Sequence, residues 1–577
     1  METREDLKSI LHLLPLALQS SSSHSSLLWP PQVLETLKIL SNGPDQSKVD
    51  SGSVLFLAIS DLRHSLGLSS AKDSLAFSAE EGFALFFDEL MSRVDAVEWF
   101  GEVVPALARL LLKLPSLMEE HYREAESVGL GVSRGGTGLR VLRSQEAGIV
   151  FLRQELIGAL LACSLFCLFP TSNRGGNFLP AINFDCLFAA LCPSYCQKQE
   201  NKIICLIHYF KRITTHMPMG FVSFERKVLP LDNSSPCVSY PQIDWWSKSI
   251  APLCNFEVSH SGLIEDQKVE AVEVDFANKY LGGGALSRGC VQEEIRFMIN
   301  PEVIVGMLFL PRMADNEAIE IVGAERFSNY TGYASTFRFS GNHQDERPVD
   351  CVGRRKTWIT AIDALCHPGK RQFGVECILR ETNKAFCGFL DHSIDELSQI
   401  IAQDAQIDKY HFDQVIGVNN EGRNYLLLPE SSSAADGPNE RVTEAEPKRN
   451  STLEWSFQGL GPKGNVGIAT GNWGCGAFGG DPQLKAVIQW LAASQALRPF
   501  ILYYSFGEEA LQGLEQATRW ISSHEWTVGE LWDMLMHYSS QVLEGDTHGG
   551  FFNWLLPSLA MQSLDVNDVQ KMDVDEL

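Results

Sequence analysis

Residues 274–302 read VDFANKYLGGGALSRGCVQEEIRFMINPE. The run from Ala271 to Phe276, AVEVDF, is β-branched and aromatic like a strand, and it leads into three glycines, Gly282, Gly283 and Gly284. Lacking side chains, these let the backbone approach a ligand closely and adopt positive φ. The chain then enters QEEIRF, a helix start. Glu293 and Glu294 there admit two accounts. Acidic residues in a first helical turn complement the helix dipole, and capping glutamates are commoner than catalytic ones. Alternatively, a carboxyl beside a glycine cradle performs chemistry. The stretch by itself leaves both open.

Working outward, the texture persists beyond about residue 250. Short runs such as IEIV at 319–322 and FILYY at 500–504 alternate with helical stretches and glycine loops, which is an α/β pattern. Residues 469–481, ATGNWGCGAFGGD, precede PQLKAVIQWLAASQA. Asp481 suits an N-cap, Pro482 the first helical turn, and Leu484, Val487, Ile488 and Leu491 form one apolar stripe. Glycines interleaved with Trp473 and Phe478 would present several N–H groups around a concavity, a cradle for a pyrophosphate. The competing account is a tight strand-to-helix turn with buried aromatics. Neither loop has the G-x-G-x-x-G context of a dinucleotide fold. In residues 325–339, ERFSNYTGYASTFRF, the rings of Tyr330, Tyr333, Phe337 and Phe339 suit a core or sheet face. An exposed Tyr333 on its Thr-Gly-Tyr turn could instead stack on a base.

Upstream, apolar residues recur at helical spacing, as in Leu7, Ile10, Leu11, Leu14 and in Trp99, Val103, Leu107, Leu110, Leu111. The spacing predicts an all-helical accessory domain over 1–235. Residues 236–390 and 466–560 form the α/β domain, interrupted by a surface insertion at 391–465. Within it 429–451 has disorder-type composition, and 561–577 reads as a flexible acidic tail. The run LIGALLACSLFCLF at 156–169 is shorter than the roughly 20 residues that span a bilayer, so a buried helix is expected.

The 577 residues are 45% hydrophobic and carry a formal charge of −25, which argues against a general electrostatic grip on nucleic acid. An anionic ligand must be held locally, by loop or helix amides. The fourteen cysteines lie far apart without zinc-site spacing, so reduced thiols and no metal are expected. The charged start, Met1 to Asp6, lacks signal-peptide character, which predicts a nuclear and cytoplasmic location; the terminal Val574-Asp575-Glu576-Leu577 then reads as a coincidental likeness to a retention tail.

Gly-Gly-Gly followed after seven residues by Gln-Glu-Glu, with V-D-F-A-N before, T-G-Y-A after and then G-N-W-G-C-G-A-F-G-G-D, resembles the poly(ADP-ribose) glycohydrolase family in order over about residues 260–510. The helical N-terminal region and the insertion resemble its plant form. The resemblance implies a macrodomain-like mixed sheet flanked by helices with a helical accessory domain, hydrolysis of ribose–ribose O-glycosidic bonds, and no cofactor. Its substrates would be poly(ADP-ribose) and poly(ADP-ribosyl)ated proteins, with no sequence-specific nucleic acid and no membrane as partners. Carried over, Glu294 is the general acid/base, Glu293 holds ribose hydroxyls and Gln292 meets the same ribose. Asp275 and Asn278 support the catalytic loop, of which Gly283 and Gly284 face substrate. Ile264 and Glu265 meet the adenine and Tyr333 closes over it. Asn472, Trp473, Gly474, Cys475, Gly476 and Ala477 form the diphosphate loop, and Phe478 positions the distal ribose.

The reaction needs a proton for the leaving oxygen and support for an oxocarbenium-like transition state. Adjacent Glu293 and the substrate's own charge would favour a protonated Glu294. Consecutive helical residues point about 100° apart, so the two are not expected to flank the bond as an ordinary carboxylate pair. A non-catalytic ADP-ribose reader would keep the diphosphate loop yet could discard the acid; a helical scaffold with ordinary glycine turns leaves the co-occurrence of the three segments unexplained.

Overall fold

The computed structural model describes residues 3–20, 25–127, 136–192, 194–231, 239–391 and 466–557. The insertion expected at 391–465 and the tail at 561–577 lie outside them, apart from Asp391. In chain order the strands are β1 (Ala17–Ser20), β2 (Ser25–Leu28), β3 (Gly148–Arg153), β4 (Phe221–Val228), β5 (Asn255–Ser259), β6 (Ala271–Ala277), β7 (Glu317–Val322), β8 (Ser328–Thr331), β9 (Arg338–Asn342), β10 (Trp358–Asp363), β11 (Gly467–Gly471) and β12 (Phe500–Tyr504). Eight of them form one mixed sheet in the order β3-β4-β7-β10-β6-β11-β12-β5. From β10 to β5 all neighbours are parallel, whereas β7, β4 and β3 extend the sheet antiparallel. β1 with β2 and β8 with β9 are separate hairpins.

The central strands are covered on both faces: β7, β10 and β11 are buried at every position. Alternate residues of β10 enter opposite cores: Ile359 and Ala361 join the helical N-terminal half, while Trp358 and Ile362 join the side packed with helices Val375–Phe389 and Pro482–Gln495. The run expected to be a buried helix is one at Gln154–Leu165, with every residue except Glu155 buried. Asp481 caps as expected, its Oδ1 accepting from Leu484 N at 2.8 Å. The helix it starts is buried well beyond the one apolar stripe, because it is sandwiched between the sheet and outer helices.

The helical reading of 1–235 holds for the named apolar positions Leu7, Ile10, Trp99, Val103, Leu107, Leu110 and Leu111, all buried, whereas Leu11 is only partly buried and Leu14 lies just past the helix end. It missed four strands. β3 and β4 complete the main sheet, so the boundary drawn at 235 falls between two strands of one sheet, and all described residues belong to one compact unit. The physical reason is that β4, FVSFERKV, buries charge: Arg226 pairs with Glu317 at 2.5 Å and Lys227 with Glu320 at 2.6 Å, both partners on β7. Such pairs hide a two-sided buried strand from any polarity pattern.

Candidate active site

The carboxyl ends of parallel strands are where open α/β sheets bind ligands. β6 and β11, hydrogen-bonded neighbours, each end there in a glycine-rich loop. Beyond β6, residues 278–291 fold back over the start of the helix Gln292–Ile299. Glu293 accepts from Gly282 N at 2.7 Å and from Asn278 N at 2.9 Å. Glu294 accepts from Gly284 N at 2.9 Å and from Val291 N at 2.7 Å. The last bond is the capping role of a third-position glutamate, so both accounts of Glu294 are compatible in one side chain. Although the helix directs the two residues apart, the loop gathers them: a Cβ at Gly283 would stand 2.5 Å from Glu293 Oε2 and 2.8 Å from Glu294 Oε1, at a φ of +48°. These glycines make room for carboxylates.

Two residues expected to meet ligand also hold protein backbone. Glu293, expected on ribose hydroxyls, has each oxygen on a loop amide, and Gln292 turns its amide onto β6, bonding Phe276 N at 2.8 Å and Val274 O at 3.1 Å. Asn278 ties the turn, its Oδ1 accepting from Tyr280 N. Beneath lies Asp275, 1% exposed, with neither carboxylate oxygen hydrogen-bonded. Burial pushes its carboxyl up to about 7, Arg296 opposing and Glu294 reinforcing the rise. Burial, then Asp275 and Glu294, holds Glu293 well above the usual carboxylate range. Arg296 is committed further back, 2.6 Å from Glu273 and 3.7 Å from Glu265. The ground under the first loop therefore carries excess acidic groups.

The loop after β11 is the opposite. Trp473 is buried with Nε1 on Ile362 O at 2.9 Å, and Asn472 is fixed by Ser505 O and the Tyr503 hydroxyl. The amides of Gly474, Gly476, Ala477 and Phe478 donate to no protein group among the described residues. Lys485 lies below, against Glu381 and 4.2 Å from the centre of the Trp473 ring. Arg380 pairs with Asp363 at 2.7 Å and with Asp315 at 2.9 Å, Lys384 pairs with Asp363 at 2.6 Å, and burial, then Arg380, pushes the Lys485 ammonium well below its ordinary value. Free amides clustered at the carboxyl end of a parallel strand can hold an anion locally on an acidic chain. Gly474 is the crowded glycine, at φ +75° with a Cβ position 2.6 Å from Ala364 Cβ, while a Cβ at Gly476 meets nothing within 4 Å.

The aromatic segment divides. Phe337 is buried, Tyr330 donates its hydroxyl to Glu265 at 2.6 Å, and Tyr333, 53% exposed, stands at the tip of the β8–β9 hairpin. Its hydroxyl lies near the backbone of Gln292 and near Glu294, which places it over the acidic loop. Ile264 is buried with Tyr504, Ala271 and Ala469, and Glu265 is buried against Tyr330 and Arg296, so both side chains are enclosed by protein. The sequence reading missed Phe506, an exposed ring in the left-handed region stacked on Tyr504; the aromatic-glycine pair directly after β12 was the available signal. It also missed Arg296, Lys485 and Lys202, whose burial no local pattern announces.

Comparison with known proteins follows this division. Residues 91–226 match the helical domain of poly(ADP-ribose) glycohydrolase, and residues 243–513 match its Macro domain fold. Poly(ADP-ribose) glycohydrolase 1 of Arabidopsis thaliana is 55% identical over 97% of this chain and 98% of its own. The chain belongs to the poly(ADP-ribose) glycohydrolase family. Probable poly(ADP-ribose) glycohydrolase 2 of the same plant is 50% identical over 97% of this chain and all of the relative, whereas poly(ADP-ribose) glycohydrolase 1 of Caenorhabditis elegans is 31% identical over 59% and 37%. The glycohydrolase helical domain ends at β4, inside the common sheet, and the Macro domain match spans both glycine loops.

Proposed function

We propose that this chain hydrolyses the ribose–ribose O-glycosidic bonds of poly(ADP-ribose), releasing ADP-ribose, with Glu294 as general acid and then general base. The observation that carries this is the adjacency of the two loops: a gathered carboxyl pair at the end of β6, and unspent amides at the end of β11. A substrate whose pyrophosphate rests on Gly474, Gly476, Ala477 and Phe478 N–H has its ribose bond brought toward Glu294.

Each Glu294 oxygen holds one backbone N–H and keeps a second lone-pair direction for a proton. Glu294 gives that proton to the 2′-oxygen as the bond from this oxygen to the anomeric carbon breaks. As carboxylate it takes a proton from water while the water oxygen bonds the anomeric carbon, which restores the acid. Glu293 and Asn278 fix the loop, Asp275 with Glu293 maintains a proton-rich surround, Tyr333 covers the site, and Phe478 stands beside the amides. Incubating the purified protein with labelled poly(ADP-ribose) and separating the products tests the reading. Free ADP-ribose supports it; binding without product would make the chain a reader.

A further inference from the structure

We infer that Lys202, on the helix Gln197–Thr215 of the N-terminal half, is a positioning residue that holds the acid-bearing loop in its working shape; this rests on the proposed glycohydrolase reading. Its ammonium is fully buried, and its three hydrogens meet three carbonyls of that loop: Gly289 O at 2.5 Å, Ser287 O at 2.7 Å and Gly284 O at 3.4 Å. Gly284 is thus gripped at both ends, its N–H by Glu294 and its carbonyl by Lys202. Gly289 presses on the same carboxylate, since a Cβ there would lie 2.6 Å from Glu294 Oε1. Glu294 shapes the loop from within and Lys202 from behind.

The contacts are to neutral carbonyls, an expensive arrangement for a buried cation. The groups facing it are Glu294 and Cys290 from the loop and its helix, with Lys198 and Cys196 from its own side; burial lowers the ammonium to about 8, with Cys290 and Glu294 opposing. The same helix also holds the Tyr333 hairpin, through Asn201 accepting from Phe339 N at 2.9 Å and Arg212 bonding His343 O at 2.9 Å. The N-terminal half therefore builds the site that the α/β half carries.

The test uses the full chain, with Lys202→Met and Lys202→Arg. For Lys202→Met, kcat should fall roughly tenfold to a hundredfold, as a slightly misplaced acid would cause, with KM changed less than about threefold. Amide exchange in residues 282–291 should quicken while that in 472–478 holds. Wild type should lose kcat as pH rises through about 8, where Lys202 gives up its charge, and Lys202→Arg should carry that loss to higher pH. Unchanged kcat and unchanged loop exchange in Lys202→Met would overturn the inference. If the methionine variant does not fold, an alkaline limb that Lys202→Arg fails to move overturns it equally. Wild type that releases no ADP-ribose defeats the glycohydrolase reading instead, and the exchange arm still decides what Lys202 does.

Discussion

The loops after β6 and β11 are both glycine-rich, both end buried parallel strands and both lead into a helix, yet they are built inversely. Residues 278–291 turn amides inward onto Glu293 and Glu294 over the acidic floor of Asp275, Glu273 and Glu265. Residues 472–481 leave four amides unspent over Lys485, Arg380 and Lys384. One loop spends its donors on holding an acid; the other leaves them free among the described residues. Glycine content reports neither role. What separates the loops is whether a carboxyl from the following helix turns back to take the amides.

The largest effect expected from this contrast is on rate. Glu294→Gln should cut hydrolysis by roughly 10²–10⁴-fold, the usual contribution of a general acid/base, with ADP-ribose affinity nearly unchanged because the second loop is intact. Comparable losses in kcat and in calorimetric affinity would merge the two roles.

Gly283→Ala drives a methyl into both carboxylates at a left-handed φ, and should cost about 1–3 kcal/mol of stability together with activity. Denaturant titration checks it, and an unperturbed midpoint would mean that the loop yields easily.

Asp275→Asn probes the acidic floor. A carboxyl raised from its ordinary value of 3.8 to about 7 is ionised in the unfolded chain but protonated in the fold across that window, so wild-type stability falls as pH rises from about 4 to about 7. Asparagine does not titrate. The melting temperature of the variant relative to wild type should therefore climb between pH 4 and pH 8, and a flat difference would mean Asp275 is not held protonated.

The smallest effect, and the sharpest for the second loop, is Gly476→Val. With nothing within 4 Å of its Cβ position, the substitution should leave the melting temperature unchanged. ADP-ribose should bind about tenfold more weakly if the valine intrudes on the pyrophosphate seat, and adenosine equally well. Equal changes for both ligands would remove the diphosphate from this loop.

Much of this was legible in the chain. The strand–glycine–helix order around Gly282 and around Gly474, the Asp481 cap and the buried run at 156–169 follow from local rules, because turn geometry, capping and hydrophobic period are properties of neighbouring residues. Strand β4 was not, since its buried Arg226 and Lys227 make sense only opposite Glu317 and Glu320 on β7. Nor was it legible that Gly474 and not Gly476 is the crowded glycine of the second loop, because the crowding comes from Ala364 and Lys485.

The sequence by itself determined the α/β class, the largely helical character of the first half and the pair of glycine-rich loops that each lead from a strand into a helix. Only the tertiary structure decided that Glu293 and Glu294 converge on one glycine, that Asp275 is stranded without a hydrogen bond beneath them, and that Lys202 and Lys485 stand behind the two loops. Such long-range charges act through distance and burial, and both are set when segments far apart in sequence are packed out of water.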